Sequence, residues 1–261
     1  MINNNLVKKH IINKIKKSEL FDYPFAHKFV ENIFPIEFYN NLLQNLPDKS
    51  FFTPIYEKGL VDSPARNVGK DYSPERFVID LDPKDLEILP KENKNFLKNL
   101  IQILISPELL LTTSSQFRLA INDVIKNFTE KQKRDWGTEN IEFVAWFQLV
   151  KDFTKFSLGA HTDSPDKFLS FLFYLPSNDS LSKMGTTLYE KSQKGLTYDK
   201  RHYSKEETKK LFVPVKTCPF IPNSLLIFLR SNNSFHGVEE INIMQEERNL
   251  LLLNYFLKKK K

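Results

Sequence analysis

One cysteine, Cys218, in 261 residues leaves no partner for an internal disulfide, so the fold has to be held by its core alone. A lone thiol also suits a reducing compartment, and a cytoplasmic location is the expectation. No apolar run approaches the roughly 20 residues that a bilayer-crossing helix requires; the longest, at 168–176 and 250–253, are strand-sized. The N-terminus is spotted with lysines where a secretory leader would carry a continuous apolar stretch and a small-residue cleavage site. Glycine is scarce, at seven residues, and no internal repeat or low-complexity segment interrupts the chain before the terminal lysines.

The net charge of +6 is not spread over the chain. Five lysines fall within residues 1–17 and four more at 258–261, which leaves the body between them at −3. A mildly acidic body with basic ends reads as solvated termini, so no nucleic-acid partner is expected.

What the chain does have is phenylalanine, 23 residues of it, in a composition that is 41% hydrophobic and 27% charged. That is ordinary for one globular domain spanning 1–261. The first part, 1–140, reads as mainly helical. Apolar residues recur at helical spacing through Ile36, Tyr39, Leu42, Leu43 and Leu46 after Pro35, through Phe96–Leu104, and through Phe117, Ile121, Val124, Ile125 and Phe128. His10 and His27 fall in this part and suggest no role. From 141 the texture changes to short β-branched and aromatic runs at 143–150, 168–175, 186–189, 213–218, 225–230, 235–239 and 249–257, punctuated by Pro176, Pro219 and Pro222. Strands this closely spaced after a helical section predict a mixed α+β fold dominated by β: a jelly-roll core over 141–257, helices packed outside it, and a basic tail at 258–261. The polar segment 190–210 is a long excursion between two strands, either a functional loop or a solvated one.

With five histidines in all, every pair can be weighed. In His161-Thr162-Asp163, extended backbone sets the imidazole and the carboxylate on one side. His236 follows 72 residues after Asp163, behind the strong strand 225–230, a distance that allows several strands to return the chain to the same place. Two histidines and one carboxylate are the donor set that holds iron(II) while leaving positions open for other ligands. Arg248, at the head of the apolar run 250–253, is either a strand-edge charge in water or a buried guanidinium with a carboxylate partner. Arg66, Lys70, Tyr72 and Arg76 precede the apolar run 77–79 and read either as a solvated loop or as the lining of a mouth.

Taken in order, Gly159-Ala160-His161-Thr162-Asp163, Phe173-Tyr174-Leu175-Pro176, Gly185-Thr186-Thr187-Leu188-Tyr189, Pro222-Asn223-Ser224-Leu225, Phe235-His236-Gly237-Val238 and Arg248 make the sequence resemble the 2-oxoglutarate/Fe(II)-dependent dioxygenase superfamily, in its prolyl-4-hydroxylase-like bacterial branch. The resemblance implies a double-stranded β-helix fold and a metal held by His161, Asp163 and His236. It implies Fe(II) as metal, 2-oxoglutarate as co-substrate with its far carboxylate on Arg248 and Tyr174 and an apolar wall at Leu188, and O2 as oxidant. The implied reaction is hydroxylation of an unactivated carbon, with release of succinate and CO2, on a peptidyl or small-molecule substrate. The carboxylate of Asp163 points away from the halogenating relatives, which lack it. His202, in the polar segment, is a candidate for contact with substrate or a plain surface histidine. The alternatives are a non-catalytic jelly-roll protein that binds metal or sugar, a scaffold acting through its basic ends, and a hydrolytic zinc site for which no general base stands out. The oligomeric state leaves no mark on the sequence.

Overall fold

The computed structural model describes residues 3–58, 76–192 and 200–260. In chain order the elements are α1 (Asn4–Lys17), β1 (His27–Glu31), α2 (Ile36–Gln44), β2 (Thr53–Pro54), β3 (Arg76–Asp80), α3 (Pro83–Glu87), α4 (Lys91–Leu104), α5 (Pro107–Gln116), α6 (Arg118–Lys126), α7 (Glu130–Trp136), β4 (Phe143–His161), β5 (Lys167–Tyr174), β6 (Thr186–Lys191), α8 (Lys205–Leu211), β7 (Phe212–Cys218), β8 (Ser224–Leu229) and β9 (His236–Leu257).

Two long strands organise everything else. β4 and β9 run antiparallel from the pair Phe143 with Leu257 to the pair His161 with His236, and the ladder slips at three places between Asp152 and His161. Such irregularities bend and twist a strand pair. The bent ribbon therefore belongs to two sheets. Its Phe143/Leu257 end lies in a large antiparallel sheet of order β1-β8-β5-β9-β4-β3-β2, and its His161/His236 end joins β6 and β7 through Leu188 paired with His236. Side chains from both sheets, among them Tyr174, Leu188, Cys218, Phe220, Leu226 and Val238, share one apolar cluster between them. This is the jelly roll expected from the strand spacing.

The other face of the large sheet carries the helices. Phe171, Phe173, Leu251, Leu253 and Tyr255 pack there against Phe38, Tyr39, Leu42, Leu97, Leu100 and Leu104 from α2 and α4. β8 is buried at all six positions because it is covered on both sides, which is why it reads as one continuous apolar run. Asn223 prepares it. Its backbone is left-handed, at φ 55°, and its side-chain amide both accepts from the Phe34 N–H and donates to the Phe34 carbonyl.

Two expectations about the first part are corrected. The basic N-terminus is not a solvated end: α1 buries Val7, Ile11 and Ile15, spaced by four, in the main core and keeps its lysines outward. Lys28 is completely buried and donates to the carbonyls of Ile15 and Ser18 and to Gln116, closing the C-terminal end of α1. His27 lies in a strand, not a helix, and β1, β2 and β3 all come from the part read as helical. The run predicted through Phe117 is α6, with buried Phe117 at its joint to α5, a helix the sequence reading did not include. The pieces predicted at 235–239 and 249–257 are one strand, β9.

Candidate metal centre and cavity

His161 ends β4, Asp163 follows two residues later, and His236 opens β9 directly across from His161. Ligand atoms from the three lie within 4.8 Å of one another. Both histidines use Nδ1 on a backbone carbonyl two residues upstream: His161 on Gly159 at 3.1 Å and His236 on Ser234 at 3.0 Å. A carbonyl only accepts, so Nδ1 carries the proton and Nε2 keeps its lone pair, the tautomer a metal ligand needs. Burial lowers the pKa of both imidazoles, His161 the further because His236 is beside it, and both are neutral at ordinary pH. For Asp163 burial alone would raise the pKa, but the charge of Lys167 beside it holds it far below the usual carboxylate range. Lys167 donates to Oδ1 at 2.9 Å and Ser170 to Oδ2 at 3.0 Å, so the carboxylate is both charged and oriented.

Glycine makes this convergence feasible. A Cβ on Gly237, next to His236, would come within 2.4 Å of the Leu158 carbonyl oxygen, and one on Gly159 within 2.1 Å of the Tyr203 carbonyl oxygen. The second approach brings the segment around His202 against the end of β4. Thr162 donates its N–H to the Arg201 carbonyl, Tyr203 donates to Ala160, and the exposed His202 ring stacks on His161 at 5.2 Å between centroids. His202 thus covers one face of a candidate metal ligand.

A cavity of about 170 Å³ runs inward from the three ligands along the inner face of the large sheet. Its walls are Val150, Leu172, Leu250, Leu252 and Phe228, and Lys167, Ser170 and Asn254 line it on the side of Asp163. Asn254 pairs across the ladder with Ser170, and its Nδ2 is buried without a hydrogen-bond partner. Arg76 and Arg248 also line the cavity. They sit in one cross-strand row, Arg76 on β3 opposite Asp152 on β4 opposite Arg248 on β9. Asp152 is wholly buried and accepts from both guanidiniums: Arg76 Nε at 2.6 Å, Arg76 Nη2 at 2.9 Å and Arg248 Nη1 at 2.8 Å. Burial would raise the Asp152 pKa; the two arginines bring it below the ordinary value.

The candidate residues therefore divide. His161, Asp163, His236 and Arg248 share one cavity. Tyr174 and Leu188 are buried just behind its wall. The Tyr174 hydroxyl donates to Thr186 Oγ1 at 2.7 Å, and Thr186 is the residue that lines the cavity, while Leu188 backs His236 as its cross-strand neighbour. Arg76, read either as part of a solvated loop or as the lining of a mouth, is in a strand and lines the cavity; Arg66, Lys70 and Tyr72 lie outside the described residues. Asp152 carried one usable signal: a charged residue on the inward-facing alternation of an apolar strand.

No family model matches the chain, and no curated protein does. Among solved structures, a prolyl-4-hydroxylase from Pseudomonas putida is 12% identical over 97% of this chain and 100% of its own, at a TM-score of 0.45. A prolyl hydroxylase from Trichoplax adhaerens, solved in complex with a hypoxia inducible factor peptide fragment, is 14% identical over 97% of this chain and 90% of its own, at 0.46. An oxidoreductase of the 2OG-Fe(II) oxygenase family from Burkholderia pseudomallei is 10% identical over 95% and 89%, at 0.42. Likenesses this distant carry no inference about activity, which rests on the site itself.

Proposed function

We propose that this chain is an Fe(II)- and 2-oxoglutarate-dependent dioxygenase that hydroxylates an unactivated carbon of a peptidyl or small-molecule substrate. One observation carries the reading: two neutral imidazoles with free Nε2 lone pairs and one anionic carboxylate converge at one end of a cavity that holds two arginines at the other. The donor set fits a divalent first-row ion with open positions, and its two nitrogens and one oxygen match iron(II) better than a hard-oxygen cation.

With Fe(II), 2-oxoglutarate and O2 bound, the chemistry supplied is oxidation of a substrate C–H to C–OH as the keto acid is converted to succinate and CO2. The protein's part is placement. His161, Asp163 and His236 would hold the ion, with each Nδ1–H donating to its backbone carbonyl. Lys167 and Ser170 keep the Asp163 carboxylate aimed. Arg248 receives the far carboxylate of the co-substrate, and Tyr174 acts through Thr186, whose hydroxyl it orients. The apolar wall of Val150, Leu172, Leu250 and Leu252 keeps water from the space between the two ends. Because Asp163 fills a ligand position, no place is left at it for a halide, which favours hydroxylation.

Asp152 favours a second reading. A carboxylate of the protein already engages Arg248, as it would in a jelly roll that binds a metal without turnover. Titration of the protein with iron(II) and then 2-oxoglutarate, without oxygen, separates the two. The dioxygenase reading expects a visible charge-transfer band, absent in His236→Ala and requiring far more co-substrate in Arg248→Ala. No band at saturating iron and co-substrate would leave the non-catalytic metal-binding protein as the better account. Within the described residues no helix is long and apolar enough to cross a membrane.

A further inference from the structure

We infer that Arg76 is a second carboxylate-binding residue of the cavity and that Asp152 is the positioning residue holding Arg76 and Arg248 side by side as one double-arginine clamp for the distal carboxylate of a dicarboxylic ligand. The inference rests on the co-substrate reading above and adds to it a residue from outside the jelly-roll core strands.

The register of three strands makes the clamp. Arg76, Asp152 and Arg248 are direct cross-strand neighbours, so their side chains share the inner face. Two guanidiniums this close repel each other unless an anion lies between them, and Asp152 is that anion. It accepts three N–H bonds, and Arg248 gives a fourth from Nε to the Met184 carbonyl at 2.9 Å. A guanidinium carries five donors, so these four bonds do not exhaust the ten that the pair brings. The planes are set by aromatic rings: Arg76 lies 3.9 Å above Phe156, and Arg248 lies 4.6 Å from Phe220 and 5.9 Å from the same Phe156.

The charge also fits. Two arginines and one aspartate leave the row at +1, which one carboxylate neutralises. An unbalanced pair would call for two negative charges in a cavity of about 170 Å³ that also holds the metal end. Asp152 thus sets the clamp for a single carboxylate while leaving both guanidiniums facing the cavity they line.

The test is calorimetric binding of 2-oxoglutarate and of 2-oxopentanoate, the five-carbon keto acid without the far carboxylate, to the full chain loaded with manganese(II), which needs no turnover. Wild type is expected to prefer 2-oxoglutarate, and Arg76→Gln to bind 2-oxoglutarate about ten- to a hundredfold more weakly with little change for 2-oxopentanoate, as loss of a charge-assisted hydrogen bond predicts. Arg76→Lys restores part of the preference. A merely structural role for Arg76 would weaken both keto acids alike. Undiminished preference in Arg76→Gln, or equal losses for the two ligands, overturns the inference alone. Binding of neither keto acid by wild type overturns the co-substrate reading and the inference with it.

Discussion

Along β9, Leu251, Leu253, Tyr255 and Leu257 enter the core beneath the helices, while Arg248, Leu250, Leu252 and Asn254 between them face the cavity. β5 divides in the same way, with Leu169, Phe171 and Phe173 on one face and Ser170 and Leu172 on the other. One backbone therefore serves two demands. The outer face needs only apolar volume of roughly the right shape, which many side chains supply. The inner face also holds buried polar groups bonded to particular partners, such as Asp152 between two arginines, where losing a partner leaves its mate stranded.

Removing Asp152 is expected to have the largest effect. Asp152→Ala leaves two buried guanidiniums without their shared anion and should cost about 3–5 kcal/mol of stability, measured by denaturant unfolding; a loss under about 1 kcal/mol would mean that water stands in for it and that the inner face is not the exacting one. Leu251→Ala, on the outer face, should cost about 2–5 kcal/mol by creating a cavity, with manganese affinity of the folded protein unchanged. Lost metal affinity there would show that the faces are coupled.

Acid sharpens the contrast, because the buried ionisable groups of the site are on the inner side. His27, His161 and His236 all have pKa values lowered from 6.5, so the unfolded chain takes up protons that the folded chain refuses. Stability of the metal-free protein is thus full above about pH 6.5 and falls as pH drops below it. Asp152 and Asp163, both lowered from 3.8, add a second loss below about pH 4. A flat stability profile between pH 7 and 5 would contradict buried, neutral histidines. Smallest of all, Ile36→Ser should change stability by no more than about 0.5 kcal/mol, because Ile36 is 64% exposed although its spacing in the sequence assigns it to the packed side of α2.

The jelly-roll strands were legible because alternation and continuous apolar runs survive in a single sequence, and the grouping of His161, Asp163 and His236 was legible because histidine is rare here. Lysines obscured α1: Val7, Ile11 and Ile15 have helical spacing, but their neighbours suggested a solvated end. The Arg76–Asp152–Arg248 row was hidden for a different reason. Its members are 76 and 96 residues apart, and only the pairing of β3 with β4 and of β4 with β9 makes them neighbours. For Tyr174, whether its hydroxyl reaches a ligand or, as here, Thr186 depends on a rotamer that no sequence pattern encodes.

Because His236 and Arg248 belong to one strand but stand on either side of three slips in its ladder to β4, the bends of that ribbon set the gap between the metal end and the guanidinium end. The length of ligand that spans the two ends is then a property of those slips, and adding or removing one residue at a slip is expected to change the ligand length that binds.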